Sequence, residues 1–339
     1  MRLMKAPIVV AALMALAAGF PHPLVVNAHD AKAYHVHGGA SLPPDFDSFA
    51  VVWYPDVPYA TAPNTDPHLL SLDIHLADAN PPAPDKQAAP ANAPVVIYIH
   101  GGGGVRGDKA FSRDLGTKPA YFIKREGFVF VSANYRLGDA GRYPVQQQDV
   151  ANAVAWVHSH IAEYGGDPNR IYLLAHSSGA AIAARVATID RFLKTAGSDR
   201  TIIKGVMLLD GGSFDGLAGS DTEQGKQRLI STYGPNRSDW EGASPLHNVG
   251  KDRYVPPFLI AHIGTVQSRT GSLGGSELDA VAMASALKAN GHPVQLVELV
   301  GKDHNQTTAD LGLPGDPTTV AVHRFLTSLD PKKTPGTSK

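Results

Sequence analysis

The sequence predicts an α/β fold: a mostly parallel central sheet with helices on both faces and a small cap insertion. Three observations predict it. Short apolar runs alternate with helical patterns from residue 95 to residue 329; the run Ile171–Leu174 leads through small residues straight into a helix; and a glycine run, Gly101–Gly104, closes another apolar run. Parallel neighbours need a crossover of helix length between them, so this alternation builds a sheet covered on both faces. A chain of 339 residues can bury the core of one large domain of this kind.

The elements follow in order. Arg2 and Lys5, the apolar run Ala6–Phe20 and the small residues Val26-Asn27-Ala28 before His29 predict a signal peptide over residues 1–28 and a secreted or periplasmic protein. The apolar run is shorter than the roughly 20 residues of a bilayer span and soon meets Pro21 and Pro23, so no membrane span is expected in the mature chain. A single α/β domain is expected over 29–329. Within it, Leu69–Leu76 and Val95–Ile99 read as strands of a hairpin interrupted by the Pro-rich insertion Ala77–Pro94. Phe128–Ala133 reads as a buried strand. Val150, Val154, Val157 and Ile161 predict a helix over Asp149–Tyr164 with Asp149 as its N-cap. Strands are expected at Ile171–Leu174, Val206–Leu209, Phe258–Ile263 and Val294–Val300, and helices at Gly179–Ala187, Glu277–Asn290 and Thr318–Leu329. Residues 212–256 form the candidate cap, with Tyr233 and Trp240 as candidate pocket walls, and 330–339 a flexible tail.

Composition excludes several classes. Thirty Lys and Arg against 31 Asp and Glu give a net charge of −1, which supplies no field for a phosphate backbone, so nucleic acid is not an expected partner. The absence of Cys excludes disulfides, thiolate zinc sites, iron–sulfur clusters and a Cys nucleophile. His158 and His160, two apart on a helix, point to different faces and cannot chelate together. No metal or cofactor is implied.

The chemistry concentrates in three places. Ile171-Tyr-Leu-Leu-Ala-His-Ser-Ser-Gly-Ala180 has the form of a strained strand–nucleophile–helix turn, which admits only small residues two positions before and two after the nucleophile. Ala175 and Gly179 flank Ser177 in this way, whereas Ser178 would have His176 and Ala180. The run His100-Gly-Gly-Gly-Gly104 at a strand end lets backbone N–H groups turn toward a point above the sheet, as an oxyanion hole requires. It lacks the later Gly-Lys-Ser/Thr of a phosphate loop. His304, just after Val294–Val300, arrives where a general base follows in the order Ser, acid, His.

With Asn134-Tyr-Arg-Leu137, Tyr143-Pro144 before Asp149, Tyr164-Gly-Gly-Asp-Pro-Asn-Arg170 and Ala243-Ser-Pro245, these motifs resemble the α/β-hydrolase superfamily over roughly Asp56–Leu329. The similarity is to serine esterases of the hormone-sensitive-lipase-like and bacterial feruloyl or acetyl-xylan esterase branches. The resemblance implies oxyanion donors at Gly102, Gly103 and Ser178, and a carboxylesterase acting on a small-molecule ester, short-chain or aryl, through an acyl-enzyme. An amidase or peptidase on the same site, or a hydrolase-fold binding protein, are the alternatives.

The family's acid lies a few residues past the strand Phe258–Ile263, yet Gly264–Ser276 contains no carboxylate. Asp303 adjoins His304, and neighbouring side chains on an extended segment diverge. Glu277 and Asp279 suit the first turn of a helix, where carboxylates favour the dipole. Asp210 closes the strand expected beside the nucleophile strand, and because some α/β-hydrolases take the acid from that strand, the resemblance makes Asp210 the favoured acid.

Overall fold

The computed structural model describes residues 24–27, 50–77, 92–111, 115–264 and 277–329. The strands are β1 (Leu24–Asn27), β2 (Ala50–Pro58), β3 (Ser71–Ala77), β4 (Ala93–Ile99), β5 (Val129–Ala133), β6 (Gly166–His176), β7 (Ile203–Leu209), β8 (Phe258–His262) and β9 (Val294–Glu298). They form one sheet in the order β1-β2-β3-β5-β4-β6-β7-β8-β9. β1, β2, β3 and β5 pair antiparallel, and every neighbour from β5 to β9 is parallel. The longer helices are α1 (Val145–His160), α2 (Ser178–Thr188), α3 (Glu223–Tyr233), α4 (Glu277–Ala289) and α5 (Pro317–Leu329).

Two apolar layers hold the sheet. Val95, Ile97 and Ile99 of β4 pack with Val150, Val154 and Val157 of α1 and with the alanines of α2. Val96 and Tyr98 on the opposite face join Phe122, Phe130 and Phe325. All five β4 side chains are fully buried, which contributes roughly 1.5–3 kcal/mol for each large one. The parallel strands therefore read as continuous apolar runs, and their carboxyl ends gather the loops that carry polar chemistry.

Three expectations change here. β3 and β4 do not form a hairpin: β3 pairs antiparallel with β5, placing Leu72 opposite Ala133 and Ile74 opposite Val131, while β4 lies between β5 and β6. The Pro-rich insertion thus spans a crossover. α1 starts at Val145, four residues before Asp149, so Asp149 is no N-cap. Its carboxylate instead accepts from Arg136 N, Nε and Nη2 at 3.1, 2.8 and 2.6 Å. The first turn carries Gln146, whose Nε2 donates to Gly104 O and Arg136 O at 2.7 and 3.0 Å. Trp240 does not stand as a pocket wall: it is buried within the cap segment, donating from Nε1 to Gly234 O at 2.7 Å.

Of the expected signal peptide, only Leu24–Asn27 falls among the described residues, as edge strand β1 with Val25 opposite Val52. The tail 330–339 lies outside them. The segment 212–256 holds α3, a short helix Arg237–Gly242 and a 3-10 turn Leu246–Asn248. Buried Arg185 of α2 fastens it, donating to Ala243 O, Ser213 O and Tyr233 Oη at 2.9, 3.1 and 2.9 Å.

Candidate active site

Ser177 joins β6 to α2 with φ 55° and ψ −126°, a conformation that L side chains rarely adopt. The turn is held because its N–H donates to Leu209 O at 3.0 Å and its carbonyl accepts from Ala180 N at 3.0 Å. Close approach explains the small neighbours: a Cβ at Gly179 would lie 2.4 Å from both Ile99 O and His100 O, and one at Gly101 2.9 Å from Ser177 Cβ. The sharp turn lifts the Ser177 hydroxyl above the sheet.

His304 bridges two residues far away in sequence. Its Nε2 lies 2.9 Å from Ser177 Oγ, and its Nδ1 2.6 Å from Asp210 Oδ2. A carboxylate only accepts, so Nδ1 carries the hydrogen and Nε2 is left to accept the serine proton. Asp210 is fully buried directly after β7, with φ 44°. Its other oxygen accepts from Ile263 N at 3.2 Å, and its own N–H donates to Ala261 O at 2.7 Å, so β8 fixes the carboxylate from both sides. The alternative acids are engaged elsewhere. Asp279 accepts from Ser213 N at 3.0 Å, Asp303 caps Gln306 N at 2.8 Å, and Glu277 opens α4.

The glycine run faces Ser177 in a shape only glycine allows. Gly102, Gly103 and Gly104 have φ of 114°, 67° and 74°, and a Cβ at Gly102 would meet Arg106 O at 1.9 Å. Gly104 is committed: its N–H donates to Ser178 Oγ at 3.2 Å, and its carbonyl accepts from Gln146 Nε2 at 2.7 Å and Gly138 N at 2.9 Å. Among the described residues no acceptor takes the N–H of Gly102 or Gly103. Those donors are left for a ligand, beside the N–H of Ser178 at the start of α2.

A second polar cluster, unannounced by any sequence motif, anchors the far end of this loop. Lys109 is 1% exposed, and its Nζ lies 2.6 Å from Asp73 Oδ1 and 2.7 Å from Asp56 Oδ1. Asn134 Oδ1 accepts from Lys109 N at 2.7 Å, and Lys109 O accepts from Ser132 Oγ at 2.7 Å. His68 sits between Asp56 and Asp108 at 2.9 and 2.6 Å. Burial works against its charge, but the hydrogen bonds to Asp108 and Asp56 outweigh this and hold its pKa above the ordinary value. The Lys109 ammonium holds Asp56 below the usual carboxylate range, whereas burial raises Asp73 despite the same cation. Burial, reinforced by Lys109, pushes nearby His75 down to about 3.

A cleft of about 420 Å³ opens beside the glycine loop, lined among others by Gly103, Arg142, Tyr143, Gln146, Ser231 and Thr232. Tyr233 backs it, its ring edge-on to Tyr143 at 4.9 Å. The model of the BD-FAE family matches residues 83–266, more than half of the chain, from before β4 to the loop after β8. The chain belongs to the BD-FAE family. Its fold is the α/β-hydrolase fold. Est2 of the planctomycete Thermogutta terrifontis matches it with TM-score 0.64 at 22% identity, covering 88% of this chain and 99% of that one. Esterase B from Lactobacillus rhamnosis matches with TM-score 0.64 at 20% identity, covering 87% and 90%.

Among curated relatives, esterase LipC of Mycobacterium tuberculosis is 29% identical over 182 residues, 50% of this chain and 43% of LipC. Probable isoprenylcysteine alpha-carbonyl methylesterase ICMEL1 of Arabidopsis thaliana is 33% identical over 109 residues, 32% of this chain and 22% of the relative. The BD-FAE chain thus spans half or less of the length of these curated relatives. Among the described residues no helix is long and apolar enough to cross a membrane. No group of three or more His, Asp or Glu side chains among them could hold a metal ion.

Proposed function

We propose that this BD-FAE protein is a secreted serine carboxylesterase that hydrolyses short-chain or aryl esters. The observation that carries the reading is His304, hydrogen-bonded at once to Ser177 Oγ and to buried Asp210. As Ser177 Oγ attacks the ester carbonyl, its proton passes to His304 Nε2, and Asp210 stabilises the imidazolium. The carbonyl oxygen, now an anion, takes the N–H groups of Gly102, Gly103 and Ser178. Collapse expels the alcohol, which carries away the proton from His304 and leaves Ser177 acylated. Water, deprotonated by the same imidazole, then releases the acid and restores the serine.

The relatives are named esterases, and Est2 of T. terrifontis is known with propionate and with butyrate bound. The cleft of about 420 Å³ reaches the site through Gly103 of the glycine loop, and a space of that size suits a small acyl or aryl group. The positive start, the apolar run Ala6–Phe20 and Ala28 support export.

A series of 4-nitrophenyl esters of increasing acyl length tests the reading. The purified protein should turn over the short members without added metal, and Ser177→Ala should reduce the rate to background. Wild-type rates in Ser177→Ala, or preference for long acyl chains, would overturn it.

A further inference from the structure

We propose that His176 is a positioning residue for His304: its ring N–H holds the main chain of the general base at the distance Ser177 needs. The proposal rests on the reading of Ser177 and His304 as nucleophile and base. His176 ends β6, is buried, and precedes Ser177 directly. Its Nε2 lies 2.9 Å from the carbonyl oxygen of His304, 128 positions away. A carbonyl can only accept, so Nε2 is the protonated nitrogen. The same oxygen accepts from Thr307 Oγ1 at 2.7 Å.

The other tethers of this loop act on its flanks. Lys302 Nζ reaches Asp310 at 2.7 Å and also pairs with Asp316, and Asp303 and Gln306 cap one another. His176 alone among these groups links the peptide of His304 to the strand that presents the nucleophile. Strand β6 and the turn after it thereby set both ends of the Ser177–His304 hydrogen bond. A misplacement of about 1 Å in such a pair can cost about 100-fold in rate.

The two rings also touch, with centroids 4.7 Å apart and planes at 37°, so donation and packing must be separated. His176→Phe keeps an aromatic surface and removes the donor. His176→Gln keeps an N–H donor at nearly the reach of Nε2 and removes the ring. On a short aryl ester, His176→Phe should lower kcat by about 10- to 100-fold with KM within about threefold. His176→Gln should stay within about threefold of the wild type in both. Melting curves check folding, and His176→Leu replaces the phenylalanine variant if that one does not fold. Wild-type kcat in the donor-less variant, or a glutamine variant as slow as it, would overturn the proposal. Ser177→Ala run alongside separates the cases: its inactivity upholds the site reading even when His176 proves silent.

Discussion

Two buried carboxylates, Asp210 and Asp73, stand on the same sheet with similar burial and opposite consequences. Asp73, in antiparallel β3, faces the ammonium of Lys109, which is itself sealed from water. Its second oxygen has no hydrogen-bond partner among the described residues. Asp210, after parallel β7, faces His304, whose side chain is 22% exposed and whose far nitrogen touches a serine hydroxyl. Burying a carboxylate against a fixed charge yields a clamp. Burying it against a group that can gain and lose a proton, and that reaches both solvent and a nucleophile, yields acid–base chemistry.

The comparison breaks first at Asp73. Asp73→Asn leaves Lys109 with the 60% exposed Asp56 as its carboxylate partner, so the loss should stay below the about 3–5 kcal/mol of a buried charge left uncompensated. Chemical denaturation should register that loss, while kcat per folded molecule changes by no more than several-fold. A large fall in kcat at unchanged stability would erase the distinction between clamp and catalyst.

A smaller effect sharpens it. His75 stacks on Trp53 beside Asp73, and neither ring nitrogen has a partner among the described residues. The folded protein keeps it neutral down to about pH 3, whereas the unfolded chain takes up the proton near 6.5. Below pH 6.5 the unfolded state therefore binds more protons, and stability falls by about 1.4 kcal/mol per pH unit from this group. Between pH 7 and pH 5 the wild type should lose about 2 kcal/mol that His75→Leu keeps. Equal losses in the two proteins would show that His75 is not the acid-labile element.

Much of this architecture was legible from local pattern. Apolar runs of β-strand length, Ala175 and Gly179 around Ser177, and glycines closing β4 are features that neighbouring residues impose on one another. The pairing of β3 with β5 was not legible, because sheet order depends on contacts between distant runs, and a Pro-rich insertion reads alike in a hairpin and in a crossover. Asp210 is legible only through the resemblance, since some α/β-hydrolases take their acid from the strand beside the nucleophile strand, and its Oδ2 lies 2.6 Å from His304 Nδ1. The contacts of His176, Gln146 and the Lys109 clamp are not legible in the sequence, because their partners are settled by tertiary proximity. The signal is faint: Gln146-Gln147-Gln148 at the start of a helix, and a lysine just after the glycine loop.

If buried Asp210 works through His304 on Ser177, turnover of Asp210→Asn on a short 4-nitrophenyl ester must show it. The amide keeps the shape but favours the wrong imidazole tautomer and cannot balance the imidazolium. The variant's kcat should fall about 10⁴-fold, with KM and melting temperature close to wild type. An Asp210→Asn enzyme with wild-type kcat, or a comparable collapse in Glu277→Gln instead, would contradict it.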